Sequence, residues 1–145
     1  MYRNSEGYSD PTAAMAVGNL IREYKKNQRA KWRRHYEMKN RKKIYVASKY
    51  AGNVDANVKA AVSYCKYVIS KNCIPIASHL LYPQMLDDND PNERELGLMF
   101  GLSLLAICDE VWCFGEISES EGVQQEIVEA RKQGIPVRFM KEDCV

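Results

Sequence analysis

Residues 111–140 read VWCFGEISESEGVQQEIVEARKQGIPVRFM, and the fold turns on how this stretch is parsed. Val111-Trp112-Cys113-Phe114 is a short β-prone run, the segment from about Ser120 to Gln133 is helical, Gly134 is its C-cap, and Pro136 to Met140 is another strand. Two strands joined through a helix within about 30 residues imply a right-handed crossover and parallel pairing. At ~100° per residue, Val123, Ile127 and Ala130 point together into a core, while Glu126 lies roughly 65° off that direction and Gln125 and Glu129 face solvent. Glu126 thus stands between core and cleft, near a helix N-terminus and beside strand ends, where a partly desolvated carboxylate meets a ligand. A competing local reading takes Ser118 with Glu121 as a capping box, which moves the helix start forward and makes Ser120 helical.

Working upstream, the same alternation repeats. Ile44-Tyr45-Val46-Ala47 is a short strand ending at a loop with Gly52. A helix from about Asp55 to Lys71 follows, with Val58, Ala61, Val62, Cys65, Val68 and Ile69 on one face. Ile74-Pro75-Ile76-Ala77 is a strand in which Pro75 removes a donor, placing its first residues near a sheet edge. Asp90, Pro91 and Glu93 form a capping-box helix start, and the helix should run to about Ile107 with a stripe of Leu98, Gly101, Leu102 and Leu105. The expected fold is α/β, a flavodoxin- or Rossmann-like parallel sheet of four or five strands with helices on both faces. Ligands in such sheets bind beyond the carboxyl ends of the strands. The loops after Ala47, Ala77, Phe114 and Met140 are therefore the candidate site, with Tyr45 beneath the cleft and His79 in its wall.

Charge divides the chain of 145 residues. Residues 1–43 hold 12 Lys/Arg against 4 Asp/Glu, whereas residues 44–145 hold 9 against 15. We therefore expect a basic helical arm, residues 1–42, ahead of an α/β domain, residues 43–145. The arm starts a helix at Asp10-Pro11-Thr12, with Ala14, Val17, Ile21 and Tyr24 near helical spacing. Its basic residues from 22 to 43 are interleaved with Tyr24, Trp32 and Tyr36. That pattern fits docking on an acidic partner or a second copy, contact with nucleic acid, or a solvated tail. No uncharged apolar run approaches the ~18 residues that span a bilayer, and the first twenty residues lack a secretory layout; the expected location is cytoplasmic. Five cysteines (Cys65, Cys73, Cys108, Cys113, Cys144) with no CxxC pair argue against a disulfide framework or a zinc site, and for buried thiols. No GxGxxG or GxxxxGK[ST] is present, so no cofactor is expected. Asp87, Asp88 and Asp90 lack the glycine and distant glutamate of an EF-hand loop, so no metal is expected either.

Gly122, Glu126 and Ala130 at intervals of four, followed by Gly134-Ile135-Pro136-Val137, resemble the signature of the nucleoside 2-deoxyribosyltransferase family and its relatives, the deoxynucleoside 5′-monophosphate N-glycosidases. Ile44 to Ala47 is similar to that family's first strand, and Ser78-His79 to the loop after its second; the likeness spans residues 43–140. It implies that Glu126 is the nucleophile attacking the anomeric carbon and that Tyr45 orients it. Ser120 replaces the transferases' aspartate as in the monophosphate glycosidases, and a serine at a helix start suits a phosphate dianion that a carboxylate repels. Gly122, His79, Ser48 and Lys49 are the further substrate-binding candidates. Where the family tends to have glycine and a small residue, Ser48-Lys49-Tyr50 gives a bulkier, positively charged sugar-side wall. Where the family has an aspartate that helps protonate the leaving base, this chain has Gly101, leaving Asp87, Asp88, Glu93 or Glu95 to supply that carboxylate. The resemblance implies an enzyme that cleaves, or transfers from, the N-glycosidic bond of a (deoxy)nucleoside 5′-monophosphate or related nucleotide, working as a homo-oligomer, most simply a dimer. The alternative is a non-catalytic nucleotide sensor whose basic arm contacts nucleic acid or protein.

Overall fold

The computed structural model describes residue 3, residues 5–7 and residues 10–141, so Cys144 lies outside the described residues. The chain divides into two compact units, Met1–Asn40 and Arg41–Val145. The first is built on one helix, α1 (Pro11–Lys39), started by the Asp10 carboxylate, which accepts from the N–H groups of Thr12 and Ala13. None of its residues is buried, and the expected stripe at Ile21 and Tyr24 is exposed along with Trp32 and Tyr36.

The second unit alternates β1 (Lys43–Ala47), α2 (Val54–Ser70), β2 (Ile74–Ile76), α3 (Pro91–Leu105), β3 (Glu110–Cys113), α4 (Glu121–Lys132) and β4 (Val137–Phe139). The four strands are parallel in the order β2-β1-β3-β4, with Tyr45 opposite Ile76 on one side and Val111 on the other. β2 is an edge strand, which accommodates Pro75. Strand order reverses between β1 and β3, so the crevice beyond their carboxyl ends is the switch point of the sheet.

Side chains alternate across the sheet. Tyr45, Ala47, Val111 and Cys113 pack under α3 and α4 against Leu105, Val123, Ile127 and Ala130, while Ile44, Val46, Trp112 and Phe114 pack under α2. The inward face of α2 differs from the expected one. Tyr64 stacks on Phe114 with ring centroids 4.7 Å apart and Tyr67 meets the same ring edge-on at 6.0 Å. Aromatic area outweighs the smaller aliphatics, so the helix turns Ala61, Tyr64, Cys65 and Val68 inward and leaves Val62 and Ile69 exposed. Cys108 and Cys113 are buried as expected, but Cys65 and Cys73 are only half-buried.

Two expected capping boxes do not close. Asp90 caps α3 through the N–H of Asn92, while the Glu93 carboxylate accepts from the backbone of Asp87 instead of Asp90. Asp90 N–H already donates to the Asp87 carbonyl, which removes the group Glu93 would have satisfied. At α4, the Ser118 hydroxyl donates to Glu116, and Ser120, in an extended conformation, is the N-cap accepting from Val123 N–H at 3.4 Å. The reading that made Ser120 helical is therefore overturned. At the other end of α4, Gly134 takes φ +72° while Ile135 N–H reaches the Ala130 carbonyl at 2.8 Å and Gly134 N–H the Arg131 carbonyl at 3.2 Å. That left-handed turn fixes where β4 begins.

Candidate active site

Beyond the carboxyl ends of β1 and β2 and the start of α4 lies a cavity of about 690 Å³. Its wall includes Ser48, Lys49, His79, Ser120, Gly122 and Glu126, so six of the seven residues singled out from the sequence meet around one space. The seventh, Tyr45, is fully buried beneath it. It sits in the middle of β1, rather than at its end, and connects to the cavity wall through the hydrogen bonds of its hydroxyl to Ser78 and Glu126.

That hydroxyl is the centre of the site. Tyr45 Oη donates to Glu126 Oε1 at 2.6 Å and lies 2.6 Å from Ser78 Oγ. A phenol has one proton, so with the Glu126 bond made the Ser78 hydroxyl is the donor to Tyr45. Burial pushes the Glu126 carboxyl up to about 7 although the Tyr45 hydrogen bond acts in the opposite direction. Burial, together with the charge of Glu126, also holds the Tyr45 phenol well above its usual range, so it acts as a fixed hydrogen-bond donor. Among the described residues, no cation stands within ion-pair distance of Glu126.

Gly101 explains why this chain of hydroxyls exists. It is buried, and a Cβ added there would stand 3.1 Å from Ser78 Oγ and 3.2 Å from Tyr45 Oη. A Cβ at 101 would press on the Ser78–Tyr45 pair, which would have to give by a few tenths of an ångström. Ser78 was legible as part of a loop but not as a partner of Tyr45. The available signal was its spacing: two residues past Ile76, which packs on the α3/α4 face, the chain points to the same side of the sheet.

Around this core the wall is mixed. Ser48 Oγ and His79 Nε2 are 2.8 Å apart, and burial lowers the imidazole to about 4, so His79 is neutral near pH 7. At the start of α4 the first N–H groups have no intrahelical partner, and nothing lies within 4 Å of a Cβ built on Gly122, so a ligand can approach the backbone there. Of the four candidate acids, Asp88, Glu93 and Glu95 line the cavity, while Asp87 does not. Arg94 and Glu119 also line it and were not anticipated. Gln125 is exposed as expected, but Glu129 is half-buried, with Gln133 Nε2 donating to it at 2.7 Å. Among the described residues, no group of three or more His, Cys, Asp or Glu converges to hold a metal ion, and no helix is long and apolar enough to cross a membrane.

Residues 42–140 match a family described as "Domain of unknown function (DUF7768)". Among solved structures, a 2-deoxyribosyltransferase from the psychrotolerant bacterium Bacillus psychrosaccharolyticus is similar with a TM-score of 0.56 and 15% identity, over 67% of this chain and 70% of that one. At that identity the likeness shows a shared, Rossmann-like fold. No curated protein matches the chain.

Proposed function

The chain belongs to this family, Domain of unknown function (DUF7768), whose description names no activity, and from the cavity we propose that it cleaves, or transfers from, the N-glycosidic bond of a (deoxy)nucleoside 5′-monophosphate or related nucleotide. One observation carries the reading: a desolvated carboxylate, Glu126, is held by the Tyr45 hydroxyl at 2.6 Å on the wall of a cavity large enough for a nucleotide. The similarity to a 2-deoxyribosyltransferase fold supports the same direction.

In the proposed reaction, Tyr45 fixes Oε1 and leaves Oε2 to attack the anomeric carbon. The C1′–N bond breaks, its electron pair leaves with the base, and a glycosyl ester forms on Glu126. Water or a second base then attacks C1′ and returns the carboxylate. The phosphate is assigned to Ser120 and the backbone at Gly122, where the dipole of α4 and its first N–H groups favour an anion. Ser48, Lys49 and His79 are assigned to the sugar and phosphate side of the wall. Chromatography of each nucleoside monophosphate after incubation tests the scheme. Wild type releases free base, Glu126→Gln does not, and Ser120→Asp loses preference for the phosphorylated substrate; equal release by wild type and Glu126→Gln contradicts it.

A homodimer forms part of this reading. The outer face of α3 exposes Leu96, Met99 and Phe100 at helical spacing, an apolar stripe suited to a second copy. Light scattering is expected to give twice the chain mass; a monomer at micromolar concentration contradicts it. Gly101 favours a second reading, a nucleotide sensor without turnover whose exposed basic helix α1 contacts nucleic acid. Its signature is nucleotide binding with no base release, and salt-sensitive DNA or RNA binding that disappears when residues 1–40 are removed.

A further inference from the structure

We propose that the preferred substrate carries a base already cationic at the glycosidic ring, a pyridinium or an N-alkylated purine, whose departure needs no proton. The inference rests on the glycosidase reading above and narrows its substrate class.

Neutral purines and pyrimidines leave poorly as anions, so their glycosidases protonate them, and a positioned acid typically contributes 10²–10⁴-fold. Three features argue that no such acid is built at the Ser78–Tyr45–Glu126 group itself, although Asp88, Glu93 and Glu95 line the wall from the segment at the start of α3. Position 101, on the buried face of α3 beside Glu126's partner Tyr45, is a glycine, which brings no carboxyl, and Ser78 Oγ and Tyr45 Oη stand 3.1 and 3.2 Å from where its Cβ would be. Tyr45, the nearest proton, is committed to Glu126. His79 has Nε2 tied to Ser48 and is neutral at pH 7, so it brings no imidazolium.

The charge of the wall points the same way. Asp88, Glu93, Glu95, Glu119, Glu121 and Glu126 line the cavity, against Lys49 and Arg94. Such an excess of carboxylates attracts a cationic ring. Asp88, Glu93 and Glu95 belong to one segment at the start of α3, and Glu119 and Glu121 flank the Ser120–Gly122 seat on α4. A cationic base has the charge this wall complements, and the phosphate keeps the backbone N–H groups at the start of α4.

The step balances without an external reagent. Glu126 Oε2 forms a bond to C1′, and the C1′–N electron pair returns to the ring nitrogen, cancelling its positive charge and releasing a neutral base. Water then supplies hydroxyl to C1′, the C1′–O bond to Glu126 breaks, and one proton passes to solvent.

The test compares matched pairs on the full chain: nicotinamide mononucleotide against its reduced dihydropyridine form, and N7-methylguanosine 5′-monophosphate against guanosine 5′-monophosphate. The purine pair is also run with 2-deoxyribose, and spontaneous release is subtracted throughout. Release from the cationic member is expected to exceed that from its neutral partner by about 100-fold or more. Asp88→Asn combined with Glu95→Gln is expected to raise KM for the cationic member more than for the neutral one. Neutral bases released as fast as cationic ones, with release dependent on Glu126, overturn this inference and leave the glycosidase reading standing. No release from either member of either pair overturns both.

Discussion

Two glutamates lie near opposite ends of the strands, Glu110 on β3 and Glu126 on α4, and they are treated in opposite ways. At the amino end, Glu110 is 6% exposed and bridges two cations, Lys42 at 3.3 Å and Arg138 at 2.9 Å. At the carboxyl end, Glu126 is given a phenol instead of a cation, and burial raises it to about 7. A carboxylate surrounded by cations is stabilised in place and is a poor nucleophile. One held by a single neutral donor keeps its electron pair available and carries the cost of its desolvation in the folded state. Glu110 is thus the ion-paired carboxylate of the two, and Glu126 the one proposed to react.

The largest expected effect breaks the comparison outright. Glu126→Gln should lower base release by about 10³-fold or more, the size of losing a covalent nucleophile. Glu110→Gln should leave release within about twofold, because it sits at the opposite end of the strands. Parity between the two variants would erase the distinction.

Stability against pH should sharpen it. The folded Glu126 carboxyl is raised from 4.5 to about 7, so the folded state holds an extra proton between those values and loses stability as pH rises through that window. Urea unfolding is expected to show wild type losing about 3 kcal/mol relative to Glu126→Gln between pH 4.5 and 8. A pH-independent difference would show that Glu126 is not desolvated.

Tyr45→Phe removes the donor that lowers the Glu126 carboxyl. Activity needs the ionised form, so the rate should climb with pH through about 7 in wild type. In the variant that limb should move to higher pH, with a rate at pH 7 reduced about tenfold or more. The smallest effect belongs to Glu110. Its two partners remain mostly solvated when it is lost, so Glu110→Gln should cost only about 1–2 kcal/mol, read by the same unfolding experiment.

How much of this was legible in the sequence follows from which forces are local. Helix starts at Asp10 and Asp90 and the Gly134 stop were readable because caps act over three or four residues. The placement of Glu126 followed from its angle relative to Val123, Ile127 and Ala130. The inward face of α2 was not readable, because Tyr64 and Tyr67 face the sheet through Phe114 and Trp112, at and just after β3 and about 50 residues away. The Ser78–Tyr45–Glu126 chain likewise joins β1, the turn after β2, and α4. Gly101 read as a missing aspartate in the sequence, whereas the fold sets it against that chain of hydroxyls, which would have to give by a few tenths of an ångström to admit a Cβ.

The most direct measurement is to quench the full chain with acid during turnover of a nucleoside monophosphate that it cleaves, and to map its peptides by mass. A 5-phosphoribosyl or 2-deoxy-5-phosphoribosyl ester on the peptide containing Glu126, absent from Glu126→Gln, is the expected result. Base release that proceeds with no adduct on that peptide, and is undiminished in Glu126→Gln, would contradict the account.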